Sequence, residues 1–208
     1  MYLMIKARHK PLFVRFFNLY TDWMLKWHFE KVCIHSDFID NGKAILLIGN
    51  HFSWWDGFFV NHLNRRVFRR KLHIMMLEEQ LSSRMFLNKA GAFSIKRGNR
   101  SVFESLNYSI EILKDDRNIL SLFPQGEIET LYRFPVSFEK GWFRIIEQAD
   151  HPFQIVFMVN LVDYFSNRKP ALYQHIKGFK YDDIRLSPGS LEKAFNDHLA
   201  SSIQKQKE

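Results

Sequence analysis

The sequence predicts a single α/β domain, in which helices flank a mostly parallel, mixed sheet and an N-terminal amphipathic helix precedes it. Three observations lead to this fold class. Short apolar runs typical of buried strands alternate with segments of helical periodicity. A length of 208 residues, without repeats or low-complexity linkers, suits one domain. A content of 46% hydrophobic and 25% charged residues is typical of a folded chain. We expect a helical segment over 1–40, a catalytic core over 42–165 and a strand and helix tail over 166–208.

The first predicted element is an amphipathic helix over residues 11–31. Pro11 suits the first turn of a helix, where its missing N–H costs no hydrogen bond. Two interpretations of the apolar side are open: the rings pack on the core, or they lie at a membrane interface, where Trp and Tyr beside Lys and Arg are favoured. Both hold if that side is wide enough. The apolar positions are Leu12, Phe13, Phe16, Phe17, Tyr20, Trp23, Met24 and Trp27, and the polar stripe is Arg15, Asn18, Asp22 and Lys26.

Five predicted strands and the helices between them follow. The strands are KAILLIGN, KLHIMML, AFSIKR, RNILSLFP and HPFQIVFMVNLVDYF. The helices are residues 53–64, which end in the basic run RRVFRRK, then LSSRMFLNKAG, SVFESLNYSIEILKDD and FRIIEQAD. A last, polar helix begins at about Ser187, with Pro188 and Ser190 as start signals.

The composition limits the partners without choosing one. The net charge of +8, from 30 Lys and Arg against 22 Asp and Glu, attracts anionic lipid headgroups, nucleic acid and acidic cofactors alike. The 21 phenylalanines suggest that some rings face an apolar partner or line an apolar slot. Cys33, on or near the first helix, is the one cysteine, which excludes an internal disulfide and a thiolate metal cluster. Without a signal-peptide pattern or an apolar run of about 20 residues, we expect the protein to stay in the cytoplasm.

Polar residues follow three predicted strands where each strand ends, the place where sites gather in α/β folds. Asn50 and His51 follow the first strand, residues 96–98 follow the third, and residues 124–127 follow the fourth. The basic group KRGNR, with Lys96, Arg97 and Arg100 around Gly98, could hold a phosphate.

His51 and Asp56 are the candidate catalytic pair. A spacing of five residues lets one helical turn and a bend bring the carboxylate to one ring nitrogen, which leaves the other free as a base. Ser53 does not lie in a Gly-x-Ser-x-Gly elbow, and the residues around Cys33 form no nucleophile motif. The base is therefore expected to activate a hydroxyl that the substrate supplies.

Together these segments resemble the glycerolipid acyltransferase family, of the 1-acylglycerol-3-phosphate acyltransferase type. The resemblance covers roughly residues 42–165, with three motif blocks in the right order. NHFSWWD matches Asn-His-x-x-x-x-Asp at Asn50, His51 and Asp56. GAFSIKRGN matches the second block at Gly91, Phe93, Ile95 and Arg97. FPQGEIE matches the third block, Phe-Pro-Glu-Gly-Thr-Arg-Ser, at Phe123, Pro124 and Gly126.

The resemblance implies an O-acyltransferase of membrane lipid synthesis. His51 would deprotonate the hydroxyl of a lysolipid, which attacks the thioester of acyl-CoA or acyl-carrier protein, and Asp56 would orient His51. No covalent acyl-enzyme, metal or further cofactor is implied. The expected substrate-binding residues are Asn50, Arg97, Phe123, Pro124, Gln125, Gly126 and Glu127. We expect a peripheral protein on the cytoplasmic side of the membrane, docked on an anionic leaflet.

The departures from the third block bear on the acceptor. Gln125, Glu127 and Ile128 stand where the family has Glu, Thr and Arg. Isoleucine cannot replace the cation that family members use on the acceptor phosphate, although Arg133 lies a few residues further on. Glu127 and Glu129 also disfavour a phosphate. The pattern therefore favours an acceptor with an amine or sugar headgroup over plain lysophosphatidate.

Two other functions are weaker interpretations. A non-catalytic module that binds lipid or nucleic acid would fit the basic and aromatic residues. The sequence contains no nucleic-acid motif, however, and a pure binder has no reason to hold the pair of His51 and Asp56. A hydrolase is disfavoured because no protein nucleophile or metal-binding trio is evident.

Overall fold

The computed structural model describes residues 4–96, 98, 101–180 and 186–207, and a seven-stranded sheet lies at its centre. The strands are β1 (Val32–Ser36), β2 (Ala44–Gly49), β3 (Lys71–Leu77), β4 (Ala92–Ile95), β5 (Asn118–Leu122), β6 (Phe153–Asp163) and β7 (Ala171–Phe179). Their order across the sheet is β1-β7-β6-β2-β5-β3-β4.

Six α-helices are assigned in the described residues. They are α1 (Pro11–His28), α2 (Asp56–Leu63), α3 (Glu78–Ser83), α4 (Ser101–Leu113), α5 (Arg144–Glu147) and α6 (Pro188–Lys205). A π-helical turn, Asn64–Phe68, continues α2, and 3-10 turns cover Met85–Ala90 and Gly141–Phe143. The polar contacts that start α6 are reciprocal: the Ser187 and Ser190 hydroxyls each accept the other residue's backbone N–H.

Strand direction sets where the carboxyl ends lie. The neighbours β6, β2, β5, β3 and β4 are mutually parallel, whereas β7 is antiparallel to β6 and parallel to β1. The five parallel strands therefore end at one edge of the sheet, which we call the carboxyl edge. There β6 continues past β2, because Gly49 pairs with Met158 while β6 runs on to Asp163.

The central strand β2 is buried on both faces, as expected for a parallel strand covered by helices. Leu46 and Ile48 join the larger apolar cluster, to which α4 and α6 contribute. Ile45 and Leu47 join the cluster on the opposite face, which includes residues of α2. The loop that follows β2 is thus anchored by a rigid strand.

The helix α1 has two apolar sides. Phe17, Thr21, Met24 and Leu25 are buried, and the Thr21 hydroxyl accepts a hydrogen bond from the Asn61 side chain on α2. The opposite side is exposed, with 55% of Trp23 and 64% of Trp27 accessible. Among the described residues, no helix is both long and apolar enough to cross a bilayer.

The structure confirms the predicted fold class and all five predicted strands, and it corrects several local predictions. α1 ends at His28, and the helix predicted over 53–64 begins at Asp56. LSSRMFLNKAG is wrong as one helix, since α3 ends at Ser83 and a 3-10 turn follows. FRIIEQAD is α-helical only over Arg144–Glu147. Cys33 lies on β1, an edge strand that we did not predict.

Candidate active site

The stretch after β2 brings His51 and Asp56 together. β2 ends at Gly49, residues 51–55 turn, and α2 begins at Asp56. The Nδ1 atom of His51 lies 2.7 Å from the Oδ2 atom of Asp56. The predicted contact between the two side chains is present, and it lies at the carboxyl edge.

Asp56 is fully buried and concentrates its contacts on one oxygen. Besides the His51 ring, Oδ2 accepts the backbone N–H groups of Phe52 at 2.9 Å and Ser53 at 3.0 Å. Burial raises the pKa of the Asp56 carboxyl, and the hydrogen bonds from His51, Ser53 and Phe52 oppose that rise. The turn is thus folded around the carboxylate, which fixes the position of the histidine.

The ring of His51 has one nitrogen left for a substrate. Its Nδ1 is engaged by Asp56, and no hydrogen-bond partner of Nε2 is found in the described part of the chain. The side chain is 20% exposed, and its ring stacks on Phe123 with a centroid separation of 4.6 Å and an interplanar angle of 18°. Nε2 can therefore accept a proton from a hydroxyl that reaches this edge.

Asn50 is anchored to the neighbouring strand. Its Nδ2 donates to the carbonyl oxygen of Asn160 at 2.9 Å, and its Oδ1 accepts the N–H of Asn160 at 2.8 Å. Asn160 in turn accepts a hydrogen bond from Gln174 of β7. The side chain of Asn50 is buried, so it fixes the strand end that carries His51; its predicted contact with substrate stays a prediction.

The segment after β5 contacts the backbone of His51. The N–H of His51 donates to Oε1 of Gln125 at 2.6 Å, and the N–H of Glu129 donates to the carbonyl oxygen of His51 at 3.0 Å. Pro124 and Gln125 are buried. Gly126 has a positive φ of 73°, which favours glycine, and its N–H closes a turn onto the carbonyl of Phe123.

Glu129, rather than Glu127, is the carboxylate that contacts the predicted site. Its Oε2 accepts from Nε2 of Gln125 at 2.6 Å, and its Oε1 lies 2.9 Å from the Arg133 guanidinium. Glu127 and Ile128 are exposed.

The sequence did not predict three features of the site: Asn160, Gln174 and this role of Glu129. Their contacts depend on strand register and on an irregular loop.

The basic group after β4 is only partly described. Arg97, the predicted ligand of an acceptor phosphate, and Arg100 of the same basic group lie outside the described residues. Lys96 lies 3.3 Å from Glu78 at the start of α3. Among the described residues, no group of three or more His, Cys, Asp or Glu side chains could hold a metal ion.

Exposed apolar side chains are frequent in the loops at the carboxyl edge. They follow three strand ends, and they are Trp54 after β2, Ile128, Tyr132 and Phe134 after β5, and Tyr164 and Phe165 after β6. An apolar rim of this kind is typical of a surface that meets lipid or an apolar ligand.

Comparison with known proteins gives one family and one fold. The family model described as "Acyltransferase" matches residues 31–159. No curated protein matches the sequence significantly. Among solved structures, the crystal structure of the 1-acyl-sn-glycerophosphate (LPA) acyltransferase PlsC from Thermotoga maritima is similar, with a TM-score of 0.64 at 15% sequence identity. The match covers 93% of this chain and 80% of that one, so the two share their fold.

Proposed function

The chain belongs to the acyltransferase family, and on that premise we propose that it moves a fatty acyl group from a thioester to a lysolipid hydroxyl, with His51 as the general base. One observation carries the proposal: Asp56 holds Nδ1 of His51 at 2.7 Å, and Nε2 is left for a substrate at the carboxyl edge. The acceptor is a lysolipid or a glycerolipid-like alcohol.

The proposed reaction needs no protein nucleophile. Nε2 of His51 takes the proton of the acceptor hydroxyl while the hydroxyl oxygen attacks the thioester carbonyl carbon. The C–S bond then breaks, the thiolate leaves, and the imidazolium returns the proton to sulfur. Asp56 stabilises the imidazolium between these steps.

The donor is an acyl thioester, either acyl-CoA or acyl-carrier protein. Both present the same carbonyl group to the acceptor oxygen, so the chemistry at His51 does not distinguish them. Assays with each donor at a matched chain length will identify which one the enzyme uses.

For the acceptor we propose an amine or sugar headgroup rather than a bare phosphate monoester. Ile128 is exposed where the family pattern has arginine. Arg133, the cation further along the segment, lies 2.9 Å from Glu129, and Glu127 adds another carboxylate nearby. A comparison of kcat/KM over lysolipids with phosphate, ethanolamine, amino-acid and sugar headgroups tests this choice. A clear preference for lysophosphatidate or glycerol 3-phosphate would contradict it.

We further propose that the enzyme works as a peripheral protein at a membrane surface. The aromatic face of α1 consists of Leu12, Phe16, Leu19, Tyr20, Trp23 and Trp27. Its rings form a continuous series, with centroid separations of 6.2 Å from Phe16 to Tyr20, 5.9 Å from Tyr20 to Trp23 and 6.1 Å from Trp23 to Trp27. Such a face is suited to the boundary between headgroups and acyl chains.

The basic run after α2 supports docking on an anionic leaflet. A groove of about 570 Å³ beside α1 is lined in part by Arg15, Arg65, Arg69, Arg70 and Lys71. Arg65 and Arg70 already pair with Asp22 and Asp40, each at 2.8 Å. The contribution of about 1 kcal/mol for each well-placed cation at an anionic surface therefore applies to Arg15, Arg69 and Lys71. Since acyl thioesters are made in the cytoplasm, we propose the cytoplasmic leaflet as the site of action.

The central test is a His51→Ala variant in an acyl-transfer assay. Loss of the base should lower kcat by about 10²–10⁴-fold. His35→Ala, at an exposed position of the edge strand β1, is the matched control and should keep its activity. Full acyl transfer by His51→Ala would overturn the catalytic assignment and would favour a module that only binds lipid.

A further inference from the structure

One segment holds His51 from three directions. The Gln125 side chain accepts the His51 backbone N–H, the backbone N–H of Glu129 donates to the His51 carbonyl oxygen, and Phe123 stacks on the His51 ring. All three contacts come from residues 123–129. The position of the imidazole therefore depends on the conformation of this segment as well as on Asp56.

The hydrogen bonds of Gln125 require an amide. Its Oε1 accepts from His51 at 2.6 Å, while its Nε2 donates to Oε2 of Glu129 at 2.6 Å. A carboxylate at position 125 could accept from His51 but could not donate to Glu129. Two ionised carboxyl groups at this separation repel each other, so one of them would have to take up a proton.

Glu129 extends these contacts to the surface. It is largely buried, with 10% of its side chain accessible, and its other oxygen holds Arg133, of which 56% is accessible. A series of contacts thus runs from Arg133 through Glu129 and Gln125 to the backbone of His51. The family pattern quoted above has its glutamate at position 125 and a serine at 129, so this chain carries the carboxylate four residues later.

We propose that Gln125 is a positioning residue for His51, and that the order of amide at 125 and carboxylate at 129 is required for it. The proposal rests on the proposed function, because it assigns to this pair the placement of the proposed base. It predicts that the two side chains can be exchanged together but not one at a time.

The test compares Gln125→Glu with the exchange variant Gln125→Glu/Glu129→Gln. The single variant should lower kcat by about 10- to 100-fold, as a small displacement of a catalytic group does, with KM changed less than about threefold. Its activity relative to the wild type at the same pH should rise as the pH falls from about 8 to about 5.5, where the two carboxyl groups share a proton. The exchange variant should recover most of kcat without this pH dependence. In that variant the carboxylate at position 125 can accept from the His51 N–H and from the amide at position 129.

Gln204→Glu is the matched control. It makes the same chemical change at an exposed position on α6, and it should keep the wild-type kcat and pH profile. A Gln125→Glu variant with wild-type kcat and pH profile would overturn the proposal, as would an exchange variant no more active than Gln125→Glu. Thermal unfolding identifies a variant that has lost its fold, and the exchange variant then decides.

A second measurement does not depend on acyl transfer. Selective nitrogen-15 labelling of the nine histidines gives a backbone amide signal for His51, which His51→Asn identifies by its disappearance. This signal should move in Gln125→Glu and return toward its original position in the exchange variant. If His51→Ala proves active, the role of His51 as base fails while a moved amide signal still supports the contact. An unmoved signal overturns the positioning role by itself.

Discussion

The Nδ1 atom of His51 lies 2.7 Å from an Asp56 oxygen that also accepts two backbone N–H groups of the intervening turn. One carboxylate atom therefore orders the turn and engages Nδ1 of the imidazole, which leaves Nε2 for the substrate that we propose. Chemistry and local folding cannot be separated at position 56, and substitutions there should affect both.

An Asp56→Asn variant should lose most of its activity. All three contacts converge on Oδ2, so an N–H₂ group in its place would face Nδ1 of His51, which favours the wrong tautomer, and the N–H groups of Phe52 and Ser53 as well. With the amide oxygen there instead, the contacts remain, but the charge that stabilises the imidazolium is lost and the buried N–H₂ group has no acceptor. We expect kcat to fall by about 10²–10⁴-fold, with a smaller change in KM. Asp197→Asn on the exposed side of α6 is the control. Retention of more than about a tenth of kcat would contradict the orienting role.

A Gly49→Ala variant should disturb both the fold and the candidate site. A methyl group at this last residue of β2 would lie 2.7 Å from Cε of Met158 and 3.0 Å from Cε1 of Phe123, the ring that stacks on His51. We expect a loss of about 1–3 kcal/mol in the free energy of unfolding, together with a lower kcat. Urea unfolding and a steady-state assay measure the two effects. Gly189→Ala, whose added methyl group meets nothing within 4 Å, should change neither the free energy of unfolding nor kcat.

Acid should destabilise the fold through a buried histidine on β3. Burial, and then the charges of His9 and Lys71, lower the pKa of His73 to about 3, against an ordinary value of 6.5. Between these values the unfolded chain binds a proton that the folded protein does not, so stability is lost as the pH falls below about 6.5. At pH 4.5 this one group costs about 2–3 kcal/mol. Urea unfolding at pH 7 and pH 4.5 should show a difference that His73→Leu reduces by about that amount. The same pH difference in both proteins would disprove the assignment.

The aromatic face of α1 should determine vesicle binding. In a Phe16→Asp/Trp23→Asp variant, two charges replace rings that we propose to insert among lipid headgroups, so co-sedimentation with anionic vesicles should fall at least about tenfold. Ile203→Asp/Gln204→Asp adds the same charges to an exposed part of α6 and should bind like the wild type, apart from a small electrostatic loss. Equal partition of all three proteins would mean that α1 serves only to cover the core.

The sequence predicted those parts of the site that are local. His51 and Asp56 are five residues apart, and both follow an apolar run that is typical of a buried strand, so their contact could be anticipated. The parallel order of strands placed residues 123–126 at the same edge for the same reason. Neither prediction needed knowledge of which strands are neighbours.

The rest depends on register and on irregular backbone. Asn160 meets Asn50, and Gln174 meets Asn160, only because β6 continues past the end of β2 and β7 returns beside it. β1 was not predicted because three of its residues are half-buried and two are exposed, which leaves no clear alternation of buried and exposed positions. Gln125 and Glu129 are four residues apart in a segment without helix, where sequence spacing does not imply contact.

The pairing of Asn50 with Asn160 links activity to the order in which the chain is synthesised. The two residues are 110 positions apart, and β6 lies between β2 and β7 in the middle of the sheet. A nascent chain that ends before β6 already carries His51, Asp56 and the whole of residues 123–129, yet the strand end that supports them has no neighbour on that side. The enzyme should therefore stay inert on the ribosome until β6 has emerged and docked. The onset of acyl transfer can then serve as a reporter for the docking of β6.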